Sequence, residues 1–99
     1  MATFIALINF THQGETHAKD SPQRADAFRS KAEKLGCKVK DIFWTLGSYD
    51  GVLVLEAPDD ESAAAALLSL DALGNVRTQT LRAFSAAEIK AVVARAFGG

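Results

Sequence analysis

Two strand-length segments carry apolar residues on both of their alternating faces. They are 3–10 and 52–57. Neighbouring residues of a strand point to opposite faces, so a strand that is apolar on both is typical of a central position covered on two sides. We therefore predict two central strands here.

Two further segments, 37–46 and 76–84, mix charged and polar residues with apolar ones. Charges on a strand suit a sheet edge, where they discourage further pairing. We predict that both segments are edge strands. The glycine-bracketed turn 47–51 then joins 37–46 to 52–57 as a hairpin.

Three segments, 22–35, 60–73 and 86–97, show the apolar spacing of amphipathic helices. Their apolar stripes are Ala25, Phe28, Ala32 and Leu35, then Ala63, Leu67, Leu70 and Leu73, which we expect to be buried, and then Ile89, Val92, Val93 and Ala96. Ser21 is predicted as the N-cap of the first helix, and 85–88 as a capping box for the last. We predict that residues 11–20 form a polar loop.

The element order β-α-β-β-α-β-α begins with the six elements of a ferredoxin-like βαββαβ sandwich and adds a C-terminal helix. Right-handed crossovers place the first and third strands side by side in the centre, which we expect to be a parallel pair. The prediction is an α+β protein with an antiparallel four-stranded sheet in the order 4-1-3-2.

One face of this sheet lacks a cover. Two helices cover one face, yet both central strands are apolar on the other face as well. The third helix, a partner's sheet or a bound ligand could cover it. We expect a homo-oligomer, most simply a two-fold homodimer.

Composition narrows the class of protein. A chain of 99 residues is expected to form one domain, 1–99. A net charge of −1 gives no basic surface for nucleic acid, and the lone Cys37 excludes an internal disulfide and a cysteine-based zinc site. No apolar run is long enough to cross a membrane, and the first residues lack signal-peptide features, so we expect a cytoplasmic protein.

Three blocks of the sequence resemble the GYD-domain family: 5–9, the stretch from Leu46-Gly47-Ser48-Tyr49-Asp50 to Asp59, and 74–84. The likeness covers nearly the whole chain in order. It implies a small bacterial protein with a ferredoxin-like, dimeric α+β-barrel-type fold, and it implies no assigned reaction.

Tyr49 and Asp50, on the hairpin, are the first candidates for a site. Asp50 could act as a base or orient the Tyr49 phenol at a cleft between subunits. The alternative is structural, because aspartate caps turn amides and tyrosine packs over a hairpin.

Trp44 follows Phe43 on the second strand, so the two rings point to opposite faces of the sheet. The sequence does not say which ring faces the helices. Whichever lies on the uncovered face lines a ligand pocket or fills a dimer core, where aromatic anchors are enriched.

Thr78, Thr80 and Arg82 share one face of the last strand, and we expect it to be the uncovered face. Arg82 would then bind a small anionic ligand, because its guanidinium matches a carboxylate. The alternative is an ion pair with Asp41, Asp50 or a partner's carboxylate. Asn9, at the end of the first strand, is expected to join this cluster, with Thr45 and Trp44 on its border.

His12 and His17 lie in segment 11–20. Histidines bind metals or haem, but this spacing fits no single helical face, and exposed loop histidines are the alternative. His12, nearer the strand, is a candidate base. No zinc spacing, phosphate loop or dinucleotide fingerprint occurs, so we predict no metal and no cofactor.

Three functions remain open from sequence alone. The first is an oligomeric small-ligand-binding or regulatory module. The second is a cofactor-independent isomerase or monooxygenase acting on a small organic acid, with Asp50 or His12 as base. The third is a structural accessory subunit. Without a motif for specific chemistry, we place binding ahead of catalysis, and whether the protein is an enzyme stays open.

Overall fold

Four strands form one sheet in the computed structural model, which describes residues 1–98. The strands are β1 (Ala2–Phe10), β2 (Lys38–Trp44), β3 (Gly51–Ala57) and β4 (Val76–Ala83). Their order is β2-β3-β1-β4, which is the predicted 4-1-3-2 read from the other edge. The predicted ferredoxin-like topology is confirmed.

All three neighbouring strand pairs are antiparallel, so the expectation that β1 and β3 run parallel is wrong. Each helical crossover returns the chain in its original direction, so β2 runs with β1, and β4 runs with β3. The tight hairpin between β2 and β3 reverses the direction once. The two central strands therefore run in opposite directions.

The helices are α1 (His12–Thr16), α2 (Ser21–Lys34), α3 (Asp60–Asp71) and α4 (Ala86–Phe97), with a 3₁₀ turn at Ala18–Asp20. The prediction of a loop over 11–20 is wrong, because α1 and the 3₁₀ turn occupy it. Ser21 is not the predicted N-cap, since the 3₁₀ turn runs directly into α2 and makes Ser21 its first residue.

Side-chain caps begin the last two helices. The Asp59 carboxylate accepts the Ser62 N–H at 2.8 Å and starts α3. Ser85 and Glu88 form the predicted capping box of α4. Hydrogen bonds from Ser85 hold the pKa of Glu88 below its usual value, and the nearby Arg82 adds to this effect.

Helices α2 and α3 cover one face of the sheet, which we call the covered face. The hydrophobic core between them is formed by Phe4, Ala6, Phe28, Ala32, Cys37, Val39, Leu53, Leu55, Ala57, Ala63, Ala66 and Leu67. Leu73, predicted to belong to this layer, is instead 62% exposed because α3 ends before it.

A β-bulge in β2 sets which aromatic ring faces the helices. The pairing with β3 shifts by one residue between Val39 and Asp41. Beyond the bulge Trp44 pairs with Gly51 and lies on the covered face, whereas Phe43 lies on the opposite face. The alternation of strand side chains makes this assignment unambiguous.

We call the sheet face that carries no helix the open face. Strand pairing places six large apolar side chains on it: Ile5, Leu7, Phe43, Val52, Val54 and Leu81. Of these, Phe43 is 57% exposed and Leu81 is 46% exposed. Soluble monomers rarely leave a contiguous apolar surface of this kind uncovered.

Helix α4 projects from the rest of the chain. Each of its residues is exposed, and its apolar stripe of Ile89, Val92, Val93 and Phe97 faces solvent. The radius of gyration is 15.0 Å, against about 13 Å for a compact chain of this length. Within the described chain, no residue of α4 is buried.

Gly14 lets α1 dock against the turn that precedes β4. A Cβ atom at this glycine would overlap the backbone carbonyl oxygen of Asn75, which also accepts the Thr11 N–H at 3.0 Å. Alanine normally stabilises a helix by about 1 kcal/mol relative to glycine.

We expect Gly14→Ala to reverse that sign and destabilise the fold by about 1–3 kcal/mol, as overpacking does. Glu15→Ala, on an exposed residue of the same helix, is the matched control. Urea denaturation of both variants measures the difference. A Gly14→Ala protein as stable as Glu15→Ala would contradict the docking of α1.

Candidate functional site

A cleft opens on the covered face, between the first half of α2 and the ends of β1, β2 and β3; we call it the α2 cleft. Its cavity volume is about 70 Å³. The walls are almost wholly apolar and include Ile8, Phe28, Trp44, Leu53 and Leu70. An apolar cleft with a few polar groups is the usual form of a small-molecule site.

Trp44 forms one side of the mouth of the α2 cleft. Its indole Nε1–H donates to Ser21 Oγ at 3.0 Å, at the first residue of α2. The residue is 50% exposed, so Trp44 lines the cleft and also contacts solvent. Trp44 is thus a pocket-lining residue in this chain, and Phe43 is the aromatic residue of the open face.

Asp50 lines the same cleft and fastens the hairpin to the end of β1. Its Oδ2 accepts the Phe10 N–H at 2.8 Å, and its own N–H donates to the Ile8 carbonyl at 2.8 Å. Its carbonyl accepts the Thr45 N–H at 2.9 Å. This geometry supports the turn-capping interpretation of Asp50.

Arg24 is a site residue that sequence reasoning missed. Its Nη1 donates to the His17 carbonyl at 2.8 Å. Its Nη2 is buried, and no acceptor among residues 1–98 contacts it. Leaving a buried donor unpaired costs about 1–3 kcal/mol, and more for a charged group. An available signal was its place on α2, four residues before the buried Phe28.

Tyr49 and Asn9 lie on the other side of the sheet. The Tyr49 hydroxyl donates to Gln79 Oε1 at 3.3 Å, and Gln79 pairs with Leu7 of the open face. Asn9 belongs to the same face by alternation along β1. The Thr45 hydroxyl donates to the Tyr49 carbonyl at 2.6 Å and braces the hairpin.

Arg82, Thr78 and Thr80 share a face, but it is the covered face, so our assignment of them to the uncovered face is wrong. They pair with Phe4, Ile8 and Ala6, whose side chains point towards the helices. The strand period fixes which residues share a face, and the inward-facing Val76 at the start of β4 sets which face it is.

The surroundings of Arg82 are those of a packed, paired side chain. Its guanidinium lies 4.5 Å from the centre of the Phe84 ring and 5.6 Å from that of Phe4. Its Nη2 is 3.9 Å from a carboxylate oxygen of Glu88. Within one chain Arg82 and Tyr49 therefore occupy opposite faces and do not converge.

The remaining predicted site residues have ordinary surroundings. Thr78 donates to the Asp71 carboxylate at 3.0 Å and ties β4 to α3. His12 and His17 are exposed, and His17 Nδ1 lies 3.0 Å from the Gln13 carbonyl. Across residues 1–98, no three His, Cys, Asp or Glu side chains are grouped to hold a metal ion.

Sheet order, helices on a single face and the Tyr49–Asp50 hairpin define a ferredoxin-like α+β protein. The chain belongs to the GYD domain family, whose model matches residues 4–93. The family resemblance noted in the sequence is therefore confirmed. Across the part of the chain that is described, no helix is long and apolar enough to span a membrane.

Two proteins from Thermus thermophilus are similar to this chain. The first, named "Glutamine synthetase and cystathionine beta-lyase binding protein", is 36% identical over 90 residues, which are 90% of this chain and 95% of that protein. The second is TTHA0845 from the same organism, known from a crystal structure. It superposes with a TM-score of 0.57 at 26% identity, and the match covers 87% of this chain and 96% of that one.

Proposed function

We propose that this protein is a homo-oligomeric regulatory module that binds metabolic enzymes and responds to a small anionic ligand. The observation that carries the homo-oligomeric part of the proposal is the pair of apolar surfaces, the open face and α4, that the single chain leaves uncovered. Surfaces of this kind mark protein–protein contacts. A binding role also agrees with the name of the relative that is 36% identical.

A second copy of the chain is the occupant we propose for the open face. Each copy carries both an apolar sheet face and an apolar helix that projects beyond its own core. A two-fold axis would give each α4 a surface on the partner and bury both open faces by the same contacts. The net charge of −1 per chain opposes such pairing little.

The enzyme partners we propose are those that the relative's name states. We expect this chain to bind the glutamine synthetase or the cystathionine β-lyase of its own organism. Protein partners are favoured over a chemical reaction of its own, because Tyr49, Asp50 and Arg82, the groups expected to form an enzyme site, lie on two sides of the sheet.

The direct test measures binding of the purified chain to each of these two enzymes by biolayer interferometry, without added ligand. We expect a saturable complex at micromolar concentration with at least one of them. Gel filtration of the mixture should show both proteins in one peak. Absence of a complex with either enzyme at 50-fold molar excess would overturn the proposed partners.

A further inference from the structure

We propose that the α2 cleft binds a small organic acid with an apolar body, and that Arg24 binds its carboxylate. This inference rests on the proposed function and specifies the binding site and the chemical class of its small anionic ligand. The proposed anion-binding residue is therefore Arg24 and no longer Arg82, because Arg82 forms an ion pair with Glu88. Neither ion pair found within residues 1–98 involves Arg24.

The cleft selects the body of the ligand by its size and lining. A cavity of about 70 Å³ holds roughly five to seven water-sized groups. A branched alkyl or phenyl group fills that space. Phe28, Leu53 and Leu70 provide apolar contacts, and the Trp44 indole stands at the mouth.

Arg24 supplies the charge that the ligand must match. One nitrogen of its guanidinium is bonded to the His17 carbonyl, and the other is buried without an acceptor. Arg24 lines the cleft, so a carboxylate that enters gives that nitrogen an acceptor once the guanidinium turns towards the cleft, and it can then form the paired hydrogen bonds that arginine makes with carboxylates. Ser21, whose oxygen accepts from Trp44, still has a hydroxyl hydrogen to donate to the same ligand.

Asp50 narrows the class of anion. Asp50 lines the cleft and its carboxylate is held by the Phe10 N–H, and neither ion pair within residues 1–98 joins it to Arg24. A second negative charge on the ligand would meet Asp50 in the apolar cleft. The site therefore favours a monocarboxylate over phosphate or a dicarboxylate.

The test compares acids with their uncharged amides of the same shape. The probes are 3-phenylpropionate and 4-methylpentanoate, each paired with its primary amide. Fluorescence of Trp44, the single tryptophan, and calorimetry report binding. We expect each acid to bind at least tenfold more tightly than its amide. Arg24→Gln should remove this preference, and Lys34→Gln, an exposed charge on the same helix, should keep it.

A second variant separates loss of binding from loss of folding, since Arg24→Gln also removes the bond to His17. Ala25→Leu places a larger side chain into the cleft and leaves Arg24 intact. It should abolish binding of acids and amides without lowering the melting temperature. Equal affinity for acid and amide, full binding by Ala25→Leu, or no binding of either acid at 10 mM would each overturn the proposal.

Failure here is distinguishable from failure of the proposed function. The enzyme complexes are measured without any acid, and the acids are measured on the purified chain alone. Enzyme binding without acid binding would remove the cleft proposal only. Acid binding without enzyme binding would remove the proposed partners only.

Discussion

Val54→Glu is expected to convert the protein from the proposed assembly of at least two copies into a monomer of 10.6 kDa. Val54 pairs with Ile5 in the middle of the open face. In the proposed homodimer, a carboxylate there would be buried without a cationic partner, which association cannot compensate. Light scattering coupled to gel filtration at micromolar concentration measures the mass.

Ala64→Glu is the control for this change, because Ala64 lies on the exposed side of α3. It adds the same charge and should leave the assembly intact. Circular dichroism should show that both variants keep their secondary structure. A wild-type chain that is itself monomeric, or a Val54→Glu chain that stays assembled, would contradict a second copy on the open face.

Leu55→Ala is expected to cause the largest loss of stability, about 2–5 kcal/mol. Leu55 is 0% exposed, in the middle of β3, beneath both covering helices. The truncation removes buried methyl groups and leaves a cavity that the tightly packed neighbours cannot fill.

The matched truncation is Leu46→Ala, at a leucine that is 101% exposed on the hairpin. It should change the free energy of unfolding by no more than about 0.5 kcal/mol. Both variants are compared by chemical denaturation at one protein concentration, because association stabilises the folded chain. Similar midpoints for the two variants would contradict the placement of the core.

Hydrophobic periodicity was sufficient to predict the sheet order and the three long helices. Strands 3–10 and 52–57 are apolar on both faces, which is typical of central strands and not of edge strands. This inference does not depend on the structure of the loops. Local pattern was insufficient for α1. Its short helix exists because Thr11 and Gly14 contact Asn75, sixty residues later in the chain.

The sheet face on which a side chain lies is harder to predict than the strands and helices themselves. Period two shows that Thr78, Thr80 and Arg82 share a side, and the structure agrees. Whether this side is the covered or the open face depends on the pairing of β4 with β1, which the sequence of β4 alone does not determine. The β2 bulge has the same effect on Trp44 and Phe43, since one extra residue exchanges the faces of every side chain beyond it.

The α2 cleft lies on the covered face, whereas the sequence places the candidate site on the uncovered face or between subunits; only two of the candidate residues line it. Trp44 and Asp50 were candidates because single aromatic residues and turn carboxylates stand out in a sequence, and both line the α2 cleft. Arg24 did not stand out, because a charged residue on an amphipathic helix normally points to solvent. Arg24 is half-buried as a whole with its Nη2 atom buried, and that burial arises from the way α2 lies across the sheet, which helical periodicity does not encode.

Because α4 projects from its own chain, its helicity should depend on the protein concentration. A helix of twelve residues is marginally stable by itself, and every residue of this one is exposed, so its own chain supports it through little more than the capping box and the Arg82–Glu88 ion pair. Its helicity must therefore come largely from whatever surface it contacts. Dilution would then unfold α4 before the sheet unfolds. The amide protons of α4 would exchange at a rate that depends on how much of the chain is associated, and not on global unfolding.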